Sequence, residues 1–132
     1  MKIAAITDDG LTLSRHFGRA RRYLVATVDE GQVQTTELRE KAGHHSFGPN
    51  DHDHPHAGGP HGFDPASRDR HARMLGTIAD CQVLLAGGMG QGMYVALEQA
   101  SIRPVLTDVE DIQEAIQAFV QGRLEERPDL AH

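Results

Sequence analysis

The sequence predicts an α/β domain built on a mixed sheet, with elements in the order βββαβαβα. Three observations carry that expectation. Strand-like runs crowd the first 40 residues, helical periodicity appears only after residue 64, and apolar strand runs then alternate with helical segments.

The elements follow in order along the chain. "KIAAIT" (2–7) is a short apolar run stopped by the turn-forming "DDG". "YLVATV" (23–28) and "VQTTEL" (33–38) flank "DEGQ", a link short enough to require an antiparallel hairpin. In "DPASRDRHARMLGTIAD", Asp64 is a candidate N-cap and Pro65 suits the first helical position. Ala72, Leu75, Ile78 and Ala79 form an apolar stripe, which predicts a helix over 65–79. "CQVLLAG" (81–87) reads as a strand covered on both faces. "MYVALEQAS" has Tyr94, Leu97 and Ala100 or Ser101 on one side of a short helix. "RPVLTD" is a further strand, with Pro104 at its start or on an edge because proline cannot donate to a ladder. "DIQEAIQAFVQGRL" places Ile112, Ile116, Phe119 and Leu124 near helical spacing, with Gly122 near its end. The alternation implies right-handed crossovers and a parallel portion of the sheet.

At 132 residues the chain fits one domain, 1–132, interrupted by an insertion at about 41–64 that is poor in core-forming residues. A formal charge of -6 argues against nucleic-acid binding, which needs clustered Lys and Arg. The one basic run, "RHFGRARR" (15–22), is short, and reads as a solvated surface or a local anion contact. No apolar run reaches membrane-spanning length, and "MKIAAITDDG" meets Asp8 and Asp9 too early for a signal peptide. A soluble cytoplasmic protein without a membrane partner is expected. The single cysteine, Cys81, excludes an intramolecular disulfide and fits a reducing compartment.

The insertion, "GHHSFGPNDHDHPHAGGPHGFD", holds His44, His45, His52, His54, His56 and His61, with Asp51 and Asp53 interleaved. Imidazole suits zinc, copper, nickel and iron, and neighbouring carboxylates bind metal or orient the rings. In an extended segment the three histidines of "HDHPH" share one side. These six histidines are therefore candidate metal ligands, set against the plainer reading of a polar loop that does not pack. "SRHFGRA" (14–20) puts His16 in a loop beside Gly18, where a turn contact is the plain reading. "AGGMGQGM" (86–93) follows a strand and opens a helix, a place where exposed N–H groups favour an anion. It fits neither the dinucleotide nor the Walker pattern, so a tight turn without a nucleotide is the alternative. Met89 and Met93 are either soft contacts or packing residues, and Cys81 is a small buried hydrophobe rather than a thiolate nucleophile.

"MKIAAITDDG…SRHFGRARRYLVATVDEG" followed by "DCQVLLAGGMGQGMYVALEQASIRPVLTDVEDIQEAI" resembles the dinitrogenase iron-molybdenum cofactor biosynthesis family, the NifX-like proteins and the C-terminal domain of the NifB type. The likeness spans nearly the whole chain outside the His-rich insertion. It implies a ribonuclease H-like fold with a five-stranded mixed sheet, and a role in binding or carrying an iron-sulfur or iron-molybdenum-type cofactor, or its precursor, without turnover. It implies that His16, within His16-Phe17-Gly18, contacts or ligates the cluster, and that Gly87, Gly88, Met89, Gly90 and Gly92 shape the pocket. The implied partners are the metallocluster cargo and the cofactor-assembly or acceptor proteins that exchange it.

The first functional reading is thus a non-enzymatic carrier, a monomer or small homo-oligomer, connected with nitrogen fixation. The alternative is a mononuclear Zn, Ni or Cu protein for storage, delivery or sensing, with the loop as its site. A zinc hydrolase has no HExxH-type motif behind it. Nuclease chemistry lacks carboxylates inside "KIAAIT" and "CQVLLAG".

Overall fold

A computed structural model describes residues 1–41 and 65–131, with 65–70 described by their backbone alone. The elements are β1 (Lys2–Thr7), β2 (Arg22–Asp29), β3 (Gln32–Glu40), α1 (Pro65–Gly76), β4 (Val83–Ala86), α2 (Gln91–Gln99), β5 (Arg103–Leu106) and α3 (Ile112–Val120). A short 3-10 turn, Pro128–Leu130, lies beyond them. The strands form one sheet in the order β3-β2-β1-β4-β5. Strand β1 pairs antiparallel with β2 and parallel with β4, and β4 pairs parallel with β5. The mixed sheet expected from the hairpin at the front and the alternation behind is present.

Strand periodicity sends alternate residues to opposite faces, and the core divides accordingly. Ala4, Ile6, Tyr23, Val25, Leu84 and Ala86 meet Met74, Leu75, Met93 and Leu97 of α1 and α2 on one face. Ile3, Ala5, Ala26, Val28, Leu85 and Val105 meet Ile112, Ala115 and Ile116 of α3 on the other. Strands β1 and β4 are buried on both sides, which is why their sequences are continuous apolar runs rather than alternating ones. Each large aliphatic side chain buried in this way contributes about 1.5–3 kcal/mol.

Local chemistry sets the element ends. The β2–β3 hairpin turns through Glu30 (φ 52°) and Gly31 (φ 75°), the pair of positive φ angles that a two-residue hairpin loop takes. The Asp111 carboxylate caps α3 by accepting from the Gln113 and Glu114 amides at 2.9 and 3.1 Å. At the other end Gly122, at φ 74°, lets its own amide bond Phe119 O and the Arg123 amide bond Ala118 O. That is the paired closure glycine permits just past a helix. Pro104 sits near the start of β5, an edge strand, as expected.

Several boundaries differ from the sequence reading. Helix α1 ends at Gly76, not 79, and Ala72 and Ala79 are exposed. Ile78 is buried from a turn, through Ile78 N–H to Leu75 O and Cys81 N–H to Ile78 O. Apolar spacing mimicked a helical stripe across that turn. Strand β3 runs longer than its apolar residues, because its ladder with β2 sets its length. Asp64, the candidate cap, lies outside the described residues.

Candidate functional site

The site begins where the parallel strands end. Beyond Thr7 the chain makes a tight turn around Asp9, whose carboxylate accepts from the Leu11 and Thr12 amides at 2.8 Å each and from Thr12 Oγ1 at 2.7 Å. Those bonds hold its carboxyl well below the usual carboxylate range. Asp8 accepts from the Arg21 amide at 3.0 Å. Both aspartates are turn residues, as their place in "DDG" predicts.

The chain then crosses the end of the sheet. The Ser14 amide bonds Ile6 O at 2.8 Å, and Ser14 O accepts from the Gly87 amide at 2.7 Å. The Phe17 amide bonds Gly88 O at 3.2 Å. "RHFG" is thereby clamped onto the glycine turn, at the carboxyl ends of β1 and β4. Gly87 is required by proximity, because a Cβ there would lie 2.9 Å from Ser14 O and 3.2 Å from Arg15 Cα. Gly18 differs: it is exposed, and a Cβ would meet nothing within 4 Å, so steric need does not explain it.

The backbone of His16 is fully engaged. Its amide bonds Ser14 Oγ at 3.1 Å, and its carbonyl accepts from the Arg19 and Ala20 amides at 3.1 Å each. The residue is exposed, and among the described residues its imidazole has no hydrogen-bond or ionic partner. Arg19 and Arg21 are also exposed, with guanidinium groups unpaired among the described residues. Arg15 is held by Glu110 at 2.7 Å. His16, Arg19 and Arg21 are thus three exposed cationic or ionisable residues on this segment, unpaired through their side chains among the described residues. On the adjoining side α2 begins at Gly90, which supplies no side-chain cap, and its first turn carries no acidic residue. Its N-terminal N–H groups add to the positive potential there.

Phe17 and Met89 belong to the floor: they are 1% and 2% exposed and pack in the core shared with α1 and α2. Gly87 and Gly88 are buried and Gly90 half-buried. Gly92, on the first turn of α2, lines a groove of about 700 Å3 between α1 and α2, with Leu75, Val95, Ala96 and Ile102. Met93 is buried as a packing residue. The chain beyond α3 returns to this end of the sheet, where Met89 N–H bonds Leu130 O at 3.3 Å and Arg127 N–H bonds Leu106 O at 2.6 Å.

Sequence reasoning missed Lys41. It is 1% exposed, its ammonium donates to the Phe17 carbonyl, and it lies 4.8 Å from the centre of the Phe17 ring. Burial pushes its pKa down to about 8, with Asp8 acting in the opposite direction. The Phe17 ring meets Tyr23 edge-on at 6.1 Å, and the Tyr23 hydroxyl donates to Met74 O at 2.9 Å. A lysine at the end of an exposed strand gives no sequence signal of burial. Cys81 is buried, and burial followed by the Asp80 charge pushes its thiol up to about 11, the state of an inert core residue.

His44, His45, His52, His54, His56 and His61 lie outside the described residues. Among the described residues there is no group of three or more His, Cys, Asp or Glu side chains placed to hold a metal ion. Nor is any helix among them long and apolar enough to cross a membrane.

The fold and site together define a class: a five-stranded α/β domain that presents a histidine loop on a glycine turn at the ends of its parallel strands. The chain belongs to the dinitrogenase iron-molybdenum cofactor family, whose model matches residues 1–122. It is 25% identical over 125 residues to an uncharacterized protein of Methanocaldococcus jannaschii, covering 95% of this chain and 90% of that protein. Its fold is similar to the apo form of the orange protein of Desulfovibrio gigas, with TM-score 0.64, 22% identity and coverage of 96% and 92% of the two chains. It is also similar to a candidate dinitrogenase of Methanocaldococcus jannaschii, with TM-score 0.62, 14% identity and coverage of 97% and 95%. At these identities the solved structures speak to the fold.

Proposed function

We propose that the protein is a non-enzymatic carrier of an iron-sulfur or iron-molybdenum-type cofactor or its precursor, bound at the carboxyl ends of β1 and β4. Family membership supports the cofactor class. The single observation that carries the site is the clamp of Ser14–Phe17 onto Gly87–Gly88, which leaves His16 exposed and its imidazole unpartnered among the described residues, in a segment that also carries the exposed Arg19 and Arg21. Neutral imidazole is a competent ligand for a cluster metal, and guanidinium groups match the negative charge of sulfide and carboxylate on such a cargo. Phe17, Gly18, Gly87, Gly88, Met89 and Gly90 act mainly through backbone and shape, as floor and wall. The strand order β3-β2-β1-β4-β5, with β2 antiparallel to its neighbours, supports a ribonuclease H-like classification. The cargo's exchange partners are cofactor-assembly or acceptor proteins, and the setting is the cytoplasm.

The six histidines between 44 and 61 support transition-metal binding by composition. Their role in this reading is to assist the cargo, or to hold a Zn, Ni or Cu ion of their own. The experiment is anaerobic addition of a synthetic [4Fe–4S] cluster with exchangeable thiolate ligands to untagged protein, followed by visible absorbance. Uptake that falls in His16→Ala supports the carrier. Stoichiometric metal lost on replacing His52, His54 and His56, with no cluster uptake by the parent, overturns it in favour of the mononuclear site.

A further inference from the structure

We infer that Lys41 is the positioning residue of this site, its ammonium holding the His16–Phe17 segment against the glycine turn from beneath. The inference rests on the carrier reading for its purpose, and on geometry for its substance. Lys41 follows the last residue of β3 and extends the β2–β3 ladder through its amide, which bonds Arg21 O at 2.9 Å. Its backbone is therefore fixed to the sheet. Its side chain reaches under the loop to the carbonyl of Phe17, the residue next to His16, and lies against the Phe17 ring. The same Phe17 bonds Gly88 O through its amide. Lys41 thus restrains one side of a peptide whose other side is restrained by the glycine turn.

A purely structural role explains this residue poorly. An ammonium removed from water carries a desolvation penalty, which a neutral carbonyl acceptor and a ring face offset less fully than a carboxylate would. Methionine would fill a similar volume against the Phe17 ring without that penalty. What it would not supply is a directed donor to the Phe17 carbonyl. Without that bond the loop's contacts to Gly87 and Gly88 still form but open more often, and the restraint that sets the direction of His16 is lost.

The test compares Lys41→Met and Lys41→Arg with the parent in the full chain. Amide hydrogen exchange is followed at Phe17 and Gly87, whose N–H groups make the loop–turn bonds, and at β1 and β4 amides in the sheet. In Lys41→Met the Phe17 and Gly87 amides are expected to exchange at least about tenfold faster, the scale of one lost hydrogen bond to a charged group. The sheet amides stay within about threefold, as for local rather than global opening. Lys41→Arg keeps a cationic donor and is expected to retain most of the protection. Unchanged protection in Lys41→Met, or protection lost equally in loop and sheet, would overturn the inference.

A second arm measures uptake of the synthetic [4Fe–4S] cluster. An affinity about tenfold weaker in Lys41→Met, restored in Lys41→Arg, is expected from misdirection of one ligand. Parent-like affinity in a variant with a loosened loop would also overturn the positioning role. If the parent itself takes up no cluster, the carrier reading fails while the exchange measurement still decides whether Lys41 orders the loop.

Discussion

The Gly87 amide donates to the Ser14 carbonyl at 2.7 Å, joining residues 73 positions apart and closing the β1–β2 connection onto the turn after β4. A Cβ at Gly87 would lie 2.9 Å from that carbonyl oxygen and 3.2 Å from Arg15 Cα, both backbone atoms that cannot rotate away. Gly87→Ala should lower stability by about 1–3 kcal/mol through overpacking. It should also weaken the Phe17–Gly88 bond. Urea denaturation with amide exchange at Phe17 measures both, and a variant equal to the parent in each would show that the loop does not depend on this approach.

Lys41 gives a pH dependence with a defined sign. Burial lowers its pKa in the folded chain from 10.5 to about 8, so the unfolded chain binds the proton more tightly. Below pH 8 both states are protonated and the group adds no slope. Between about 8 and 10.5 the unfolded chain holds more protons, and stability rises with pH there by up to about 3 kcal/mol relative to Lys41→Met. Parallel pH profiles for the two proteins across that window would refute the burial of a charged ammonium.

Asp111 caps α3 with one carboxylate oxygen shared by two amides. Its replacement by alanine should cost about 1 kcal/mol, while asparagine, which keeps an acceptor, should cost less. Thermal or denaturant unfolding of the two variants provides the comparison, and equal losses would assign the effect to charge rather than to the cap.

His16→Ala should leave stability within about 0.5 kcal/mol of the parent, because the side chain is exposed and the backbone bonds that form the turn remain. Cluster uptake should nevertheless fall. A stability loss well beyond that range would mean that the imidazole holds the loop together rather than facing a cargo.

Local signals made much of the architecture legible before any tertiary information. The "DDG" and "DEGQ" turns, the strand "KIAAIT", the doubly covered strand within "CQVLLAG", Gly122 near the end of α3 and the edge position of Pro104 all follow from turn chemistry, periodicity and the missing proline donor. "HFG" and "GGMGQG" were visible as motifs, and their resemblance to a known family is borne out by the match over residues 1–122. Periodicity failed at Ala72, which is helical but exposed, and at Ile78 and Ala79, where apolar spacing continued through a turn beyond the helix. It also gave no measure of β3, whose length depends on a partner strand.

By itself the sequence determined the mixed sheet, the order of its elements and the two motifs, "HFG" and "GGMGQG", that the proposed site is built from, since each is set by residues close together in the chain. Only the tertiary structure decided that Ser14 touches Gly87, that Phe17 faces inward while His16 faces out, and that Lys41 is buried beneath them. Those relations depend on β1 lying beside β4 and on the last residue of the hairpin reaching back under the first loop. Contacts of that kind arise from chain packing across large sequence separations, which neither local propensity nor spacing encodes.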